Sequence, residues 1–391
     1  MPDAGPLGLY VHIPFCSGKC AYCDFASFPG RTGDIPRYLA ALEAEAALAR
    51  PPRLPETLYI GGGTPSELSA GQIGDLFSLL RRVYPGARWS EATFEVNPES
   101  VDAEKLAALR RGGVTRVSIG FQSLDAGVLR AAGRRHGPED ALRAFRLVRA
   151  AGDWSVSVDL ICGLPGQDAA LFAKDLDAVL ALKPDHLSLY GLDVHEDTPL
   201  GLARFVPDED LGREMLETAL CRITAAGLEH YEISNFSRPG HQSWHNLNYW
   251  NGGEYIGLGC AASAHLGGER SRNVGDLDAY LGRVESGQRP AAESERLEGR
   301  RKLGERVFLG LRRLSGLQLD PEMRSEFRTQ WQDLERRGLV TRHGGRARLT
   351  REGLFLANEA FGSFVAPFAP SEEGEHPLCG DGGPLPAEEK P

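Results

Sequence analysis

The chain has 391 residues, 41% of them hydrophobic and 25% charged, enough to bury one large core and a smaller one. A formal net charge of −10 argues against a broad nucleic-acid surface, and no uninterrupted apolar stretch approaches the roughly 20 residues of a spanning helix. Seven cysteines without a paired framework, and no apolar leader-type run, predict a reducing, cytoplasmic setting.

Taken in chain order, short β-type runs over 8–13, 57–60, 93–96, 116–119, 156–161 and 186–190 alternate with helical patterns such as 38–46, 67–80 and 140–148. Six βα units predict an α/β fold, a partial TIM-type barrel of parallel strands. The chemically suggestive residues follow those strands, and in such barrels the site is built at the carboxyl ends of several strands at once.

After the first run comes Cys16-Ser-Gly-Lys-Cys20-Ala-Tyr-Cys23, a C-x3-C-x2-C array. Three clustered thiolates suit an iron–sulfur cluster, and a cubane held by only three leaves one iron open to another ligand. Zinc with a histidine, or a redox dithiol of Cys20 and Cys23, are the alternatives; the first lacks a second knuckle and the second leaves Cys16 unexplained. Gly61-Gly62-Gly63-Thr64-Pro65 follows the second run, where glycines permit close backbone approach to a ligand or make a plain turn. Glu95 sits in an otherwise apolar strand end, where an unpaired carboxylate is costly; a cationic ligand or a neighbouring Arg would offset that cost.

With an aromatic, Tyr22, before the third cysteine, the array resembles the fingerprint of the radical S-adenosylmethionine (SAM) superfamily. Tyr10-Val-His-Ile-Pro-Phe-Cys16 together with Gly61 to Pro65 is similar to the oxygen-independent coproporphyrinogen III dehydrogenases and the related HemW-type heme chaperones, over residues 10–360. The resemblance implies a radical SAM partial barrel, a [4Fe-4S] cluster on Cys16, Cys20 and Cys23, and SAM on its open iron. It further implies that Gly62, Gly63 and Thr64 line the methionyl part of SAM, that Glu95 meets its ammonium, and that Tyr10, Tyr22, Gln122, Arg134 and Asp159 contact one or a second SAM.

Two features separate the two relatives. The dehydrogenases carry a fourth cysteine two positions after the third, where this chain has Phe25, and an extended N-terminal region that is expected to be absent here, with Tyr10 near the start of the sequence. Conversely, His245-Asn246-Leu-Asn-Tyr249-Trp250 matches a chaperone signature. His245 is therefore expected either as an axial heme ligand with aromatics packing on the macrocycle, or as a structural histidine.

From about residue 298 helices over 301–312 and 321–336 precede two β-type pieces around Gly344-Gly345, as in a winged-helix α+β unit. Its arginines suggest a nucleic-acid reader, including radical-SAM modification of RNA; interleaved Glu305, Glu322 and Glu335 favour a solvated lid or docking domain and no nucleic acid. The expected organisation is a radical SAM core over 1–290, the winged-helix-like domain over 291–368 and a disordered Pro-, Gly- and Glu-rich tail over 369–391 with an incidental Cys379. The expected function is a heme chaperone that binds heme and hands it to apo-hemoproteins such as membrane-associated respiratory enzymes, homodimerisation being left open. The alternative is oxidative decarboxylation of coproporphyrinogen III in porphyrin biosynthesis.

Overall fold

The computed structural model of the protein describes residues 5–49 and 51–366; the expected tail and Cys379 lie outside them. Six strands form its centre: β1 (Gly8–Ile13), β2 (Thr57–Gly62), β3 (Glu91–Val96), β4 (Arg116–Gln122), β5 (Ser155–Cys162) and β6 (His186–Gly191). Each pairs in parallel with the next. In β1, Leu9, Val11 and Ile13 are fully buried and His12 nearly so, the near-continuous burial of a strand covered on both faces.

The crossovers carry the helices predicted from apolar spacing, among them Ile35–Leu48, Ala70–Val83 and Pro138–Ala151. The second starts later than expected because Ser69 caps it: its hydroxyl accepts from Gln72 N–H while the Gln72 side chain accepts from Ser69 N–H.

Past β6 the sheet continues in ways that the six-unit pattern does not contain. β7 (Glu229–Glu232) and β8 (Asn235–Ser237) add antiparallel on the β6 edge. β9 (Tyr255–Leu258) pairs in parallel with β1, and an antiparallel ribbon of β10 (Ser263–Leu266), β11 (Glu269–Asn273) and β12 (Ala291–Arg296) extends that edge. The sheet thus has twelve strands in the order β12-β11-β10-β9-β1-β2-β3-β4-β5-β6-β8-β7. It runs to Arg296, past the expected boundary at 290, because β12 is hydrogen-bonded into it.

A separate hydrophobic cluster lies between Leu303 and Phe364. It is built by the helices Gly299–Leu311, Pro321–Glu326 and Arg328–Arg336 with a three-stranded sheet of Leu317–Gln318, Val340–His343 and Arg346–Leu349, a winged-helix-like arrangement. The expected single helix over 321–336 breaks at Phe327, whose ring is fully buried. Gly344 and Gly345, at φ of 58° and 79°, make the tight turn of the hairpin. Several of its arginines pair with acids: Arg306 with Asp320, Arg337 with Glu359 and Arg342 with Glu335, while Arg213 of the core reaches Glu352 with both terminal guanidinium nitrogens.

Trp331 is fully buried in this cluster, its indole N–H donating to Met323 O at 3.0 Å and its ring 4.5 Å from that of Phe364. Trp331→Ala is expected to cost about 3–5 kcal/mol. A lowered urea midpoint for unfolding of this module would show it; a loss below about 1 kcal/mol, the range of surface changes, would contradict the packing.

Candidate cofactor site at the strand ends

The Cys loop leaves the end of β1 and is tied down from three sides. Ala21 N–H donates to Ala132 O at 3.0 Å, Leu200 N–H to Ala21 O at 2.9 Å, and Arg135 donates to Ser17 O at 2.6 Å. Cys16 is buried, its Sγ 3.2 Å from Thr64 Oγ1; since that hydroxyl accepts from Asn97 Nδ2 at 3.1 Å, its own proton is free to point at the sulfur. Arg134 Nη1 approaches Cys20 Sγ at 3.7 Å. Burial pushes the Cys16 thiol up and the Cys23 thiol up to about 11, and a positive metal centre would favour the thiolates that a cluster needs.

The three cysteines face a cavity of about 350 Å³, within the range of small-ligand sites. Gly62, Gly63, Thr64, Glu95, Gln122, Arg134 and Asp159 all line it, as does Tyr22. Glu95 carries the chemistry of its far wall. Tyr59 Oη donates to one oxygen at 2.6 Å and Gly62 N–H to the other at 3.2 Å, and burial raises its pKa to about 7. Among the described residues no Arg or Lys pairs with it, so the ion-pair alternative is not what the structure contains.

Gln122 ends β4 with φ of 64°, where the pairing with β5 slips by one residue. A non-glycine residue there is strained by about 1–3 kcal/mol. Among the described residues its buried Oε1 has no hydrogen-bond partner, and neither does buried Nε of Arg134, whose Nη2 is fixed by Asn97 Oδ1 at 2.9 Å and Gly120 O at 2.8 Å. Orphaned buried polar atoms on a cavity wall need a ligand or water. Asp159 accepts from Ser118 Oγ at 3.0 Å to each oxygen, and burial raises its pKa.

The triple glycine works differently from expectation. A Cβ on Gly62, at φ of 115°, would lie 2.5 Å from the His12 ring, one on Gly61 would lie 2.8 Å from Glu95 Oε2, and one on Gly63 would lie 3.0 Å from Ile13 O. The glycines are dictated first by the packing of the Cys loop and Glu95 against β2. Gly62 N–H reaches Glu95 because of that close approach.

Two residues sit elsewhere than the sequence suggested. Tyr10 is turned away from the cofactor cavity: its hydroxyl donates to His12 Nδ1 at 2.9 Å, its ring lies 6.2 Å from that of Tyr59, and it lines a second cavity. His245, fully buried, lies at the opposite end of the strands, against Gly8 of β1 and Thr57 of β2. Nδ1 is 2.8 Å from Thr57 Oγ1 and Nε2 is 2.7 Å from Tyr249 Oη. Burial lowers its pKa to about 3, so the ring is neutral with both nitrogens engaged, and an axial bond to heme iron would require dismantling this packing. Of the two roles expected for His245, this packing favours the structural one. Glu91 accepts from the N–H groups of Trp244 and His245 at 3.0 Å each and so anchors the start of the helix Trp244–Trp250.

Sequence reasoning missed Asn97, Ser118, Asp193 and His195 on the cofactor cavity. Asn97 had a signal, since it stands two residues after Glu95 and so on the same side of an extended chain. His195, 3.5 Å from Asp24 and 3.6 Å from Asp193, lies in a loop without periodicity.

Comparison with known proteins is consistent along the chain. The model of the radical SAM superfamily matches residues 10–179. The heme chaperone HemW of Bacillus subtilis is 34% identical over 373 residues, covering 91% of this chain and 98% of that protein. HemW of Escherichia coli is 41% identical over 264 residues, 66% of this chain and 69% of its own length. In structure, the coproporphyrinogen III oxidase HemN of Escherichia coli, a radical SAM enzyme, aligns with a TM-score of 0.81 at 25% identity over 93% of this chain and 91% of that one.

Proposed function

The chain belongs to the HemW family of the radical SAM superfamily, and from that premise we propose that it is a heme chaperone. In this reading Cys16, Cys20 and Cys23 hold a [4Fe-4S] cluster, SAM lies in the cavity beside it, and heme is received and passed to apo-hemoproteins, respiratory enzymes among them, from the cytoplasm. Among the described residues no helix is long and apolar enough to cross a membrane. The observation that carries the choice within the superfamily is Phe25. It is 60% exposed on the Cys loop and lines both cavities, where the dehydrogenases supply a further thiol.

The cavity residues fit the parts of SAM. Glu95 would hold the ammonium in its ionised form, its proton passing to solvent. Arg134, immobilised by Asn97 and Gly120, turns its unpaired Nε–H to an anionic or hydroxyl oxygen, and the orphaned Gln122 Oε1 accepts from a donor on the ligand. Tyr22 packs with Val128, Ala132, Ile161 and Leu164, an apolar wall that excludes water from the Cys20 side. When bound, the cluster and SAM supply one-electron reduction of the sulfonium.

Anaerobic titration of reconstituted protein with heme is expected to give a saturable Soret complex at about one heme per chain; no saturable complex would refute the reading. The full-length likeness to HemN favours a second reading, oxidative decarboxylation of coproporphyrinogen III. Its test is product formation with SAM and a reductant, and the chaperone reading predicts none.

A further inference from the structure

Resting on the chaperone reading, we propose that the second cavity is the heme site and that His265, not His245, supplies the axial nitrogen. This cavity, of about 480 Å³, opens beside the Cys loop between β9–β11 and the helix Trp244–Trp250. It shares Asp24 and Phe25 with the cofactor cavity. Its walls have two chemistries that suit an iron porphyrin, a broad aromatic surface for the macrocycle and a free cation for a propionate.

The aromatic surface is Tyr249, Trp250 and Tyr255, with Tyr249 and Tyr255 packed edge to face at 4.6 Å. Among the described residues the buried indole N–H of Trp250 has no hydrogen-bond acceptor, an orphaned polar atom of the kind found in the cofactor cavity. Phe25 lines the side toward the cluster loop.

His265 on β10 differs from the other histidines of this region. Its Nδ1 is 3.2 Å from the carbonyl of Gly253, which can only accept, so the ring proton is on Nδ1 and the lone pair is on Nε2. Among the described residues Nε2 has no partner. A ring oriented by donation to a backbone carbonyl, with the opposite nitrogen bare, is the arrangement found in metal-bound histidines. His12, by contrast, uses Nε2 on Ala26 O at 2.8 Å and Nδ1 on Tyr10, and His245 is saturated.

Strand register places the cations on the same side. Arg270 is directly opposite His265 and Arg272 is opposite Ser263, so His265, Arg270 and Arg272 project from one face of the ribbon. Arg270 is already neutralised by Glu305 and lies 3.7 Å from Glu295. Arg272 is exposed and, among the described residues, has no ion pair, even with Glu293 opposite it in β12. Arg272 is therefore assigned to a propionate and Arg270 to positioning the ribbon against the helix that carries Glu305.

The test is heme titration of the full chain carrying its cluster, comparing wild type with His265→Ala, Arg272→Ala and His245→Ala. His265→Ala should shift the Soret band and weaken binding about tenfold or more, with exogenous imidazole restoring the parent spectrum. Arg272→Ala, on an exposed strand position, should weaken heme about fivefold and leave the affinity for heme dimethyl ester unchanged. Wild-type binding with an unaltered spectrum in His265→Ala would overturn the axial assignment while leaving the chaperone reading intact. Equal loss of heme and its diester in Arg272→Ala would overturn the propionate assignment, even if His265→Ala proves too unstable to titrate. Absence of heme binding by the wild type would instead overturn the reading on which the proposal rests.

Discussion

Cys20→Ser is expected to lower iron and labile sulfide in anaerobically reconstituted protein from about four atoms of each per chain to near zero. Serine keeps the size of the side chain but offers a hard oxygen where a soft thiolate is required. The loop itself should survive, because it is held by backbone bonds from Ala21 to Ala132 and Leu200 and by the Arg135 contact to Ser17, none of which involves the sulfur. Unchanged circular dichroism alongside lost iron is thus the expected pair of results. Cys162→Ser serves as the internal contrast: that cysteine is 2% exposed within the main core, and its substitution should leave iron content unaltered. Retention of full iron by Cys20→Ser would remove this loop from the cluster.

Glu95→Gln is expected to weaken SAM by about thirtyfold or more, the equivalent of losing ~2 kcal/mol from an enclosed charge pair. The single oxygen of glutamine can still accept from Gly62 N–H while its NH2 donates to the Tyr59 oxygen, whose own proton turns away, so the wall should stay in place while its charge is removed. The sign of the pH dependence follows from the raised pKa of about 7. Below that value the free carboxyl is mostly protonated and must lose its proton before it can meet an ammonium, so wild-type affinity should rise with pH, by close to tenfold per unit below pH 7, and level off above it. In Glu95→Gln the curve should be flat between pH 6 and 8. Isothermal titration calorimetry in buffers of different ionisation enthalpy would detect the released proton, and an identical pH profile in both proteins would contradict the assignment.

How much of this was legible in the residues depended on whether burial wrote a pattern. The six parallel strands are covered on both faces, so runs such as Leu9 to Ile13 and Val156 to Ile161 stood out as apolar blocks between helical spacings. The ribbon of β10 to β12 is mostly half-buried or exposed and rich in Arg, Glu and Ser, so it carried no such alternation. The cysteine loop and the cavity residues Glu95, Gln122, Arg134 and Asp159 could be named because motifs mark them. What the motifs could not convey was facing: Tyr10 belongs to the neighbouring cavity, and His245 is spent on Thr57 and Tyr249 at the far end of the strands. His265, in a strand without a motif, was invisible until register placed it opposite Arg270.

The most direct measurement is electron paramagnetic resonance of the reduced, reconstituted wild-type protein with and without SAM. The account predicts the signal of a reduced [4Fe-4S] centre that changes when SAM is added, as one iron acquires new ligands. A cluster whose spectrum is indifferent to saturating SAM, or no cluster at all, would contradict it.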